Sequence, residues 1–108
     1  METSIVMKNY MNHTEEYSRM REQVISLKER IVPALEKIAT VQAFKDFATE
    51  KCKEFLNECN HTLILLDYSE NHSWEEIQER MNVVNDHVGV IADYIEENQT
   101  EIRKALRG

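Results

Sequence analysis

Apolar residues in the last third of the chain recur at alternating spacings of three and four positions. They form a seam that holds for more than four heptads, consisting of Ile77, Met81, Val84, Val88, Ile91, Ile95, Ile102 and Ala105/Leu106. Asn98 is the one polar residue on this seam. Just before the seam, Ser73 and Glu76 have the spacing of a capping box. The pattern predicts one long helix over residues 74–106 with a coiled-coil-like seam.

The same spacing continues backwards through the chain, and Pro33 leaves two alternatives for how the first two helices meet. A proline suits the first position of a helix, and it disfavours helical geometry at the preceding Val32. We therefore expect a first helix over about residues 4–30 and a second over 33–66. In the alternative, Pro33 only kinks a first helix that ends near Ala39, and Thr40 caps the next helix.

These helices define the expected fold class, which is all-α. The polar run at residues 67–72 is a short loop between two helices of nearly equal length, so we expect these helices to pack as an antiparallel pair. With the first helix, they predict an antiparallel three-helix bundle of up-down-up order, with residues 1–108 forming one domain. Only two glycines and one proline occur, which agrees with few turns. The size and plan resemble a spectrin-type three-helix repeat in architecture, without its signature residues.

Cysteine usage and hydropathy bear on the compartment. Cys52 and Cys59 are seven residues apart, so on a helix their α-carbons are roughly 10 Å apart, and a disulfide needs less than about 7 Å. We expect both to be free thiols that act as small apolar core residues. No apolar run approaches the ~20 residues that span a bilayer, and the N-terminus lacks the features of a secretory signal. A cytoplasmic protein that does not engage a membrane is expected.

The candidate chemistry is sparse. Glu58 and His61 have the Glu-x-x-His spacing of di-iron bundles, but such a site needs a second motif, and this chain has none. We expect a surface pair, with no metal and no cofactor; a bundle that binds a metal or small ligand through these residues is the alternative. Scarce glycine disfavours phosphate loops and oxyanion holes, so we expect no enzyme and assign no catalytic residue.

Charge is distributed unevenly along this chain of net charge −7. Residues 67–101 contain ten acidic side chains and one basic one, whereas residues 14–58 contain nine acidic and eight basic. Nucleic-acid binding is therefore not expected, because phosphate contacts need a basic patch. The outermost positions of the last helix carry Glu79, Asp86 and Asp93. This stripe is either a solvated face or a docking face for a basic partner.

A second apolar line lies beside the seam of the last helix. Its members, spaced as on one helix face, are Val83, His87, Val90 and Tyr94. Core packing in a skewed bundle is one explanation, because a helix in a three-helix bundle must contact two neighbours. A subunit interface or a partner groove is the other.

Together these features predict a non-enzymatic protein–protein interaction module of the adaptor, small-chaperone or inhibitor type. It would bind a protein partner through the acidic C-terminal helix. In the more specific form of this prediction, the partner is basic. Two alternatives come from other classes. One is the metal- or small-ligand-binding bundle, and the other is a self-assembling structural protein, an obligate oligomer such as a homodimer.

Overall fold

The computed structural model describes residues 14–107, and its regular elements there are all helical. The helices are α1 (Thr14–Ile38), α2 (Lys45–Asp67), α3 (Trp74–Glu97) and α4 (Gln99–Arg107). Single 3-10 turns at Gln42–Phe44 and Ser69–Asn71 lead into and out of α2. The all-α prediction is thus confirmed for these residues. The expected start of the first helix near residue 4 lies outside the described part of the chain.

Pro33 lies inside α1, so the break predicted there is wrong. A proline inside a helix removes one hydrogen bond, here to the Glu29 carbonyl, and its ring crowds the preceding turn. The ring of Pro33 is exposed, whereas Leu35 and Ile38 beyond it are buried in the core. Burying two large apolar side chains outweighs the loss of one hydrogen bond, and α1 therefore continues to Ile38.

The turn after α1 shows a different role for Thr40 from the expected cap. Its Oγ1 donates to the carbonyl of Lys37 at 2.7 Å, and the amide of Ala39 donates to the carbonyl of Leu35 at 2.8 Å. These bonds satisfy carbonyl groups that the end of a helix leaves free. Thr40 therefore closes α1, and α2 begins only at Lys45 instead of at residue 33.

The long C-terminal helix predicted over residues 74–106 is divided at Asn98 into α3 and α4. The Asn98 side-chain amide donates to the Tyr94 carbonyl at 2.9 Å, where the Asn98 backbone amide also donates at 3.1 Å. Such a side chain competes with the helical ladder and explains the interruption. The amide of Ile102 donates to the Asn98 carbonyl at 2.9 Å, so α4 starts at once and Ile102 remains buried.

The capping box before α3 is half confirmed. Ser73 Oγ accepts a hydrogen bond from the amide of Glu76 at 3.1 Å, as its spacing predicts. The Glu76 carboxylate, however, does not reach back to the Ser73 amide. It lies 3.0 Å from Nδ1 of His72, an imidazole one residue earlier that competes for the same carboxylate.

One apolar core connects all four helices along an elongated molecule of 66 × 19 × 18 Å. Phe55 at its centre is fully buried, together with Leu35 of α1 and Ile91 of α3. A second, smaller cluster around Ile77 closes the end next to the loop before α3. Because the molecule is narrow, each helix buries one stripe and leaves its other faces at or near the surface.

We expect Pro33→Ala to raise the free energy of unfolding by about 1–3 kcal/mol. Alanine restores the missing amide at an exposed helical position where proline is disfavoured by about 3 kcal/mol. The expected gain is smaller than this value because proline also stiffens the unfolded chain, which favours folding. Urea denaturation followed by circular dichroism measures the change. Gln23→Ala, at another exposed position of α1, should stay within about 0.5 kcal/mol of the parent. Unchanged or lower stability of Pro33→Ala would contradict a continuous α1.

Candidate functional site

Three carboxylates form an exposed row along α3. Glu79, Asp86 and Asp93 are all exposed, and their seven-residue spacing places neighbours roughly 10 Å apart along the helix. Within residues 14–107 none of the three forms an ion pair. Arg80, the one basic residue in the segment 67–101, binds Glu58 of α2 instead. The row, which we call the acidic row, therefore presents negative charge that no neighbouring cation neutralises.

Val90 is the one large apolar side chain of α3 that is exposed. It is 50% exposed, and it lies four residues after Asp86 and three before Asp93, so all three share one side of the helix. Val83 and His87 on the same apolar line are partly buried. The acidic row and Val90 together form a surface with a small apolar centre and acidic flanks.

Tyr94, the last member of the apolar line, is partly buried and packs against α2. Its ring stacks on Phe47 of α2, with centroids 3.5 Å apart and 15° between the planes. Phe44 meets it edge-on at 6.1 Å. Lys51 Nζ lies 5.8 Å from the Phe47 centroid on α2. The Tyr94 ring therefore joins α3 to α2, and Val90 is the one member of this line that is exposed.

Sequence reasoning missed the role of Phe47, because the three–four spacing of the second helix runs through Ala48, Cys52 and Phe55 and leaves Phe47 beside it. Aromatic residues seldom stand on a helix face without a packing partner, and that was the available signal. Its partner, Tyr94, lies on another helix. Periodicity within one helix does not reveal such a pair.

Glu58, the acidic half of the Glu-x-x-His motif, forms an ion pair with Arg80 of α3. The two side chains are 28% and 22% exposed, so the pair is partly shielded from water. Arg80 Nε is buried and has no hydrogen-bond partner among the described residues. His61, the other half of the motif, is exposed. The Glu58 carboxylate thus already neutralises Arg80, and binding a metal there would require breaking this pair.

Cys52 and Cys59 are both free thiols, as the spacing predicts. Cys59 is fully buried, and burial raises its pKa to about 11, with Lys28 lowering it in part. Cys52 is partly exposed, and its pKa is raised by burial and additionally by the charge of Glu36. Both thiols are therefore protonated at neutral pH, which is the opposite of an activated nucleophile.

Residues 14–107 contain no group of three or more His, Cys, Asp or Glu side chains placed to hold a metal ion. Over the same residues, none of the helices is both long and apolar enough to cross a membrane. Comparison of the chain with known proteins finds no matching family model, no similar curated protein and no similar solved structure. Function is therefore inferred from the surface chemistry of the helices.

We expect the free energy of unfolding to fall as pH rises from about 9 to about 11. The folded pKa of Cys59 lies above the unfolded value, so its stabilising contribution is complete below pH 9 and is lost as pH rises through about 11. Two pH units correspond to at most about 3 kcal/mol. Urea denaturation across this range, compared with Cys59→Ala, isolates the contribution of this thiol. Equal pH dependence in both proteins would contradict a raised pKa.

Proposed function

We propose that this protein is a non-enzymatic protein–protein interaction module of the adaptor, small-chaperone or inhibitor type, and that it binds a basic protein partner through α3. The observation that carries the proposal is the acidic row, Glu79, Asp86 and Asp93, with half-exposed Val90 beside it. We propose a cytoplasmic setting, in keeping with cysteines that remain free thiols.

We further propose that α1, α2 and α3 form an antiparallel three-helix bundle of up-down-up order with coiled-coil-like seams. In the α1–α2 pair and in the α2–α3 pair, later residues of one helix meet earlier residues of the other, which is the register of antiparallel neighbours. The pairs are Arg21 with Asp67, Lys28 with Asn60, Glu58 with Arg80, and Phe47 with Tyr94. This arrangement turns the acidic row away from the other helices and leaves it open to a partner.

The chemistry of the acidic row favours a partner helix with Lys or Arg at seven-residue intervals. Such a helix, laid along α3, would place a cation near each carboxylate and an apolar residue against Val90. Each exposed ion pair contributes about 0.2–1 kcal/mol, so the charges act mainly by speeding association and selecting the partner. Binding should therefore weaken as salt screens the charges, over a Debye length of about 8 Å at physiological ionic strength.

No observation favours the metal- or ligand-binding alternative to the same degree. Glu58 is engaged with Arg80, and His61 lies on the exposed side of α2. The proposed function accordingly includes neither a metal nor a cofactor.

We expect Asp86→Lys/Asp93→Lys to weaken binding of the partner about tenfold or more, because two attractions become repulsions. The partner is captured from native lysate with the tagged protein, identified by mass spectrometry, purified and titrated against each variant. Glu22→Lys/Glu50→Lys changes the net charge equally at exposed positions of α1 and α2 and is the matched control. If the dissociation constant of the partner were the same for the parent and for both double variants, the result would contradict a role for the acidic row.

A further inference from the structure

A second surface, far less acidic than α3, runs along the outside of α1 and α2. Two open cavities of about 300 and 370 Å³ lie between these helices, and residues of α1, of α2 and of the turn directly after α1 line them. Apolar side chains form the floor. Six of them define what we call the α1–α2 groove, namely Ile25, Val32, Ala39, Cys52, Leu56 and Leu63.

The α1–α2 groove has the pattern of a helical packing surface at the edge of the core, against which four of its six residues pack from one side. Ile25 and Val32 are seven residues apart on α1, and Ala39, in the turn directly after α1, continues this interval of a coiled-coil seam. All three are only partly buried, and the core positions of α1, such as Val24 and Leu35, are different residues. α1 therefore carries a second apolar stripe that the described helices leave partly uncovered.

The charged residues that line the groove are balanced. Lys28, Glu29 and Glu36 stand on α1, and Lys53 stands on α2, which gives two basic and two acidic side chains. Two copies of a chain with net charge −7 repel each other in general, most of all at α3. The α1–α2 groove is a surface where a second copy meets apolar contacts without that local repulsion.

Glu36 and Lys53 give this surface self-complementary charges. They line the same cavity from opposite helices, both are exposed, and neither forms an ion pair within the described residues. A two-fold axis parallel to the helices would lay α1 of one copy against α2 of the other at the same level. That symmetry brings each Glu36 towards Lys53 of the second copy, and it makes the contact twice.

We propose that the α1–α2 groove is the interface of a symmetric homodimer, in which a second copy of this chain covers the groove and Glu36 of each copy pairs with Lys53 of the other. This inference goes beyond the proposed partner binding and uses a different face. In such a dimer the two acidic rows remain exposed on separate subunits. The assembly would then offer two equivalent binding faces to a bivalent partner.

Charge reversal at Glu36 and Lys53 tests the pairing. We expect Glu36→Lys and Lys53→Glu each to raise the dimer dissociation constant about tenfold or more, since both copies of the pair become repulsive. The combined Glu36→Lys/Lys53→Glu variant should recover the parental value. An equimolar mixture of the two single variants should form a heterodimer tighter than either variant alone, because opposite charges then face each other at both contacts. Sedimentation velocity over a dilution series measures all four.

The matched controls are Lys37→Glu and Glu50→Lys, which make the same charge changes at exposed positions that do not line the groove. We expect them to leave the dissociation constant within about twofold of the parent, and circular dichroism verifies that every variant is folded. A parent protein that is monomeric at all concentrations would overturn the proposal. So would a dimer that ignores the groove variants, or a mixture of single variants that gains no affinity.

Cys52 reports which occupant covers the groove. At neutral pH we expect a thiol reagent to modify Cys52 more slowly in concentrated than in dilute protein, while buried Cys59 reacts only on unfolding. Equal protection of Cys52 at every dilution, including dilutions at which sedimentation velocity shows a monomer, would mean that another segment of the same chain covers the groove. Equal and rapid reaction at every dilution would mean an open groove. Either result overturns the dimer.

Discussion

Phe55, Leu35 and Ile91 meet in an apolar core that is long and narrow, in a molecule 66 Å long and less than 20 Å across. Removing a side chain such as Phe55 from a core of this kind costs about 3–5 kcal/mol, a large part of the 5–15 kcal/mol that holds a typical domain together. A helix in this protein therefore continues where its continuation buries further core residues. α1 passes through Pro33 because Leu35 and Ile38 must be buried, and α4 resumes directly after Asn98 because Ile102 is the last core residue.

The narrow core also decides how much of each helix stays at the surface. Because one stripe per helix is enough to build it, apolar side chains beside that stripe remain partly exposed, such as Ile25 on α1 and Val90 on α3. Charge then distinguishes the two faces. The face on α3 lies among carboxylates that form no ion pair within the described residues, and we propose a basic partner for it. The face on α1 and α2 has balanced charges and apolar side chains on the floors of its two cavities, and we propose a second copy of the chain as its occupant.

Sequence periodicity predicted the features that depend on one helix at a time. Ile77, Met81, Val84 and Ile91 are buried as the last seam requires, Ser73 caps α3, and the cysteines are free thiols. Features that depend on competition between local and distant interactions were not predictable in this way. The cost of Pro33 arises within its own turn of α1. The burial of Leu35 and Ile38 that outweighs this cost depends on a core shared with the other helices. The Phe47–Tyr94 stack and the Glu58–Arg80 pair join residues of two helices. Neither has a signature within its own helix, although both define which part of α3 remains free.

Carboxyl footprinting of the unmodified protein tests most directly whether the two faces have separate roles. Carbodiimide-activated amidation, followed by mass spectrometry, would be compared between dilute and concentrated protein. We expect modification of Glu36 to fall in the concentrated sample, while Glu79, Asp86 and Asp93 are modified equally in both. Protection of the three α3 carboxylates at high concentration, with Glu36 unchanged, would contradict this division, because it would place self-association on the acidic row.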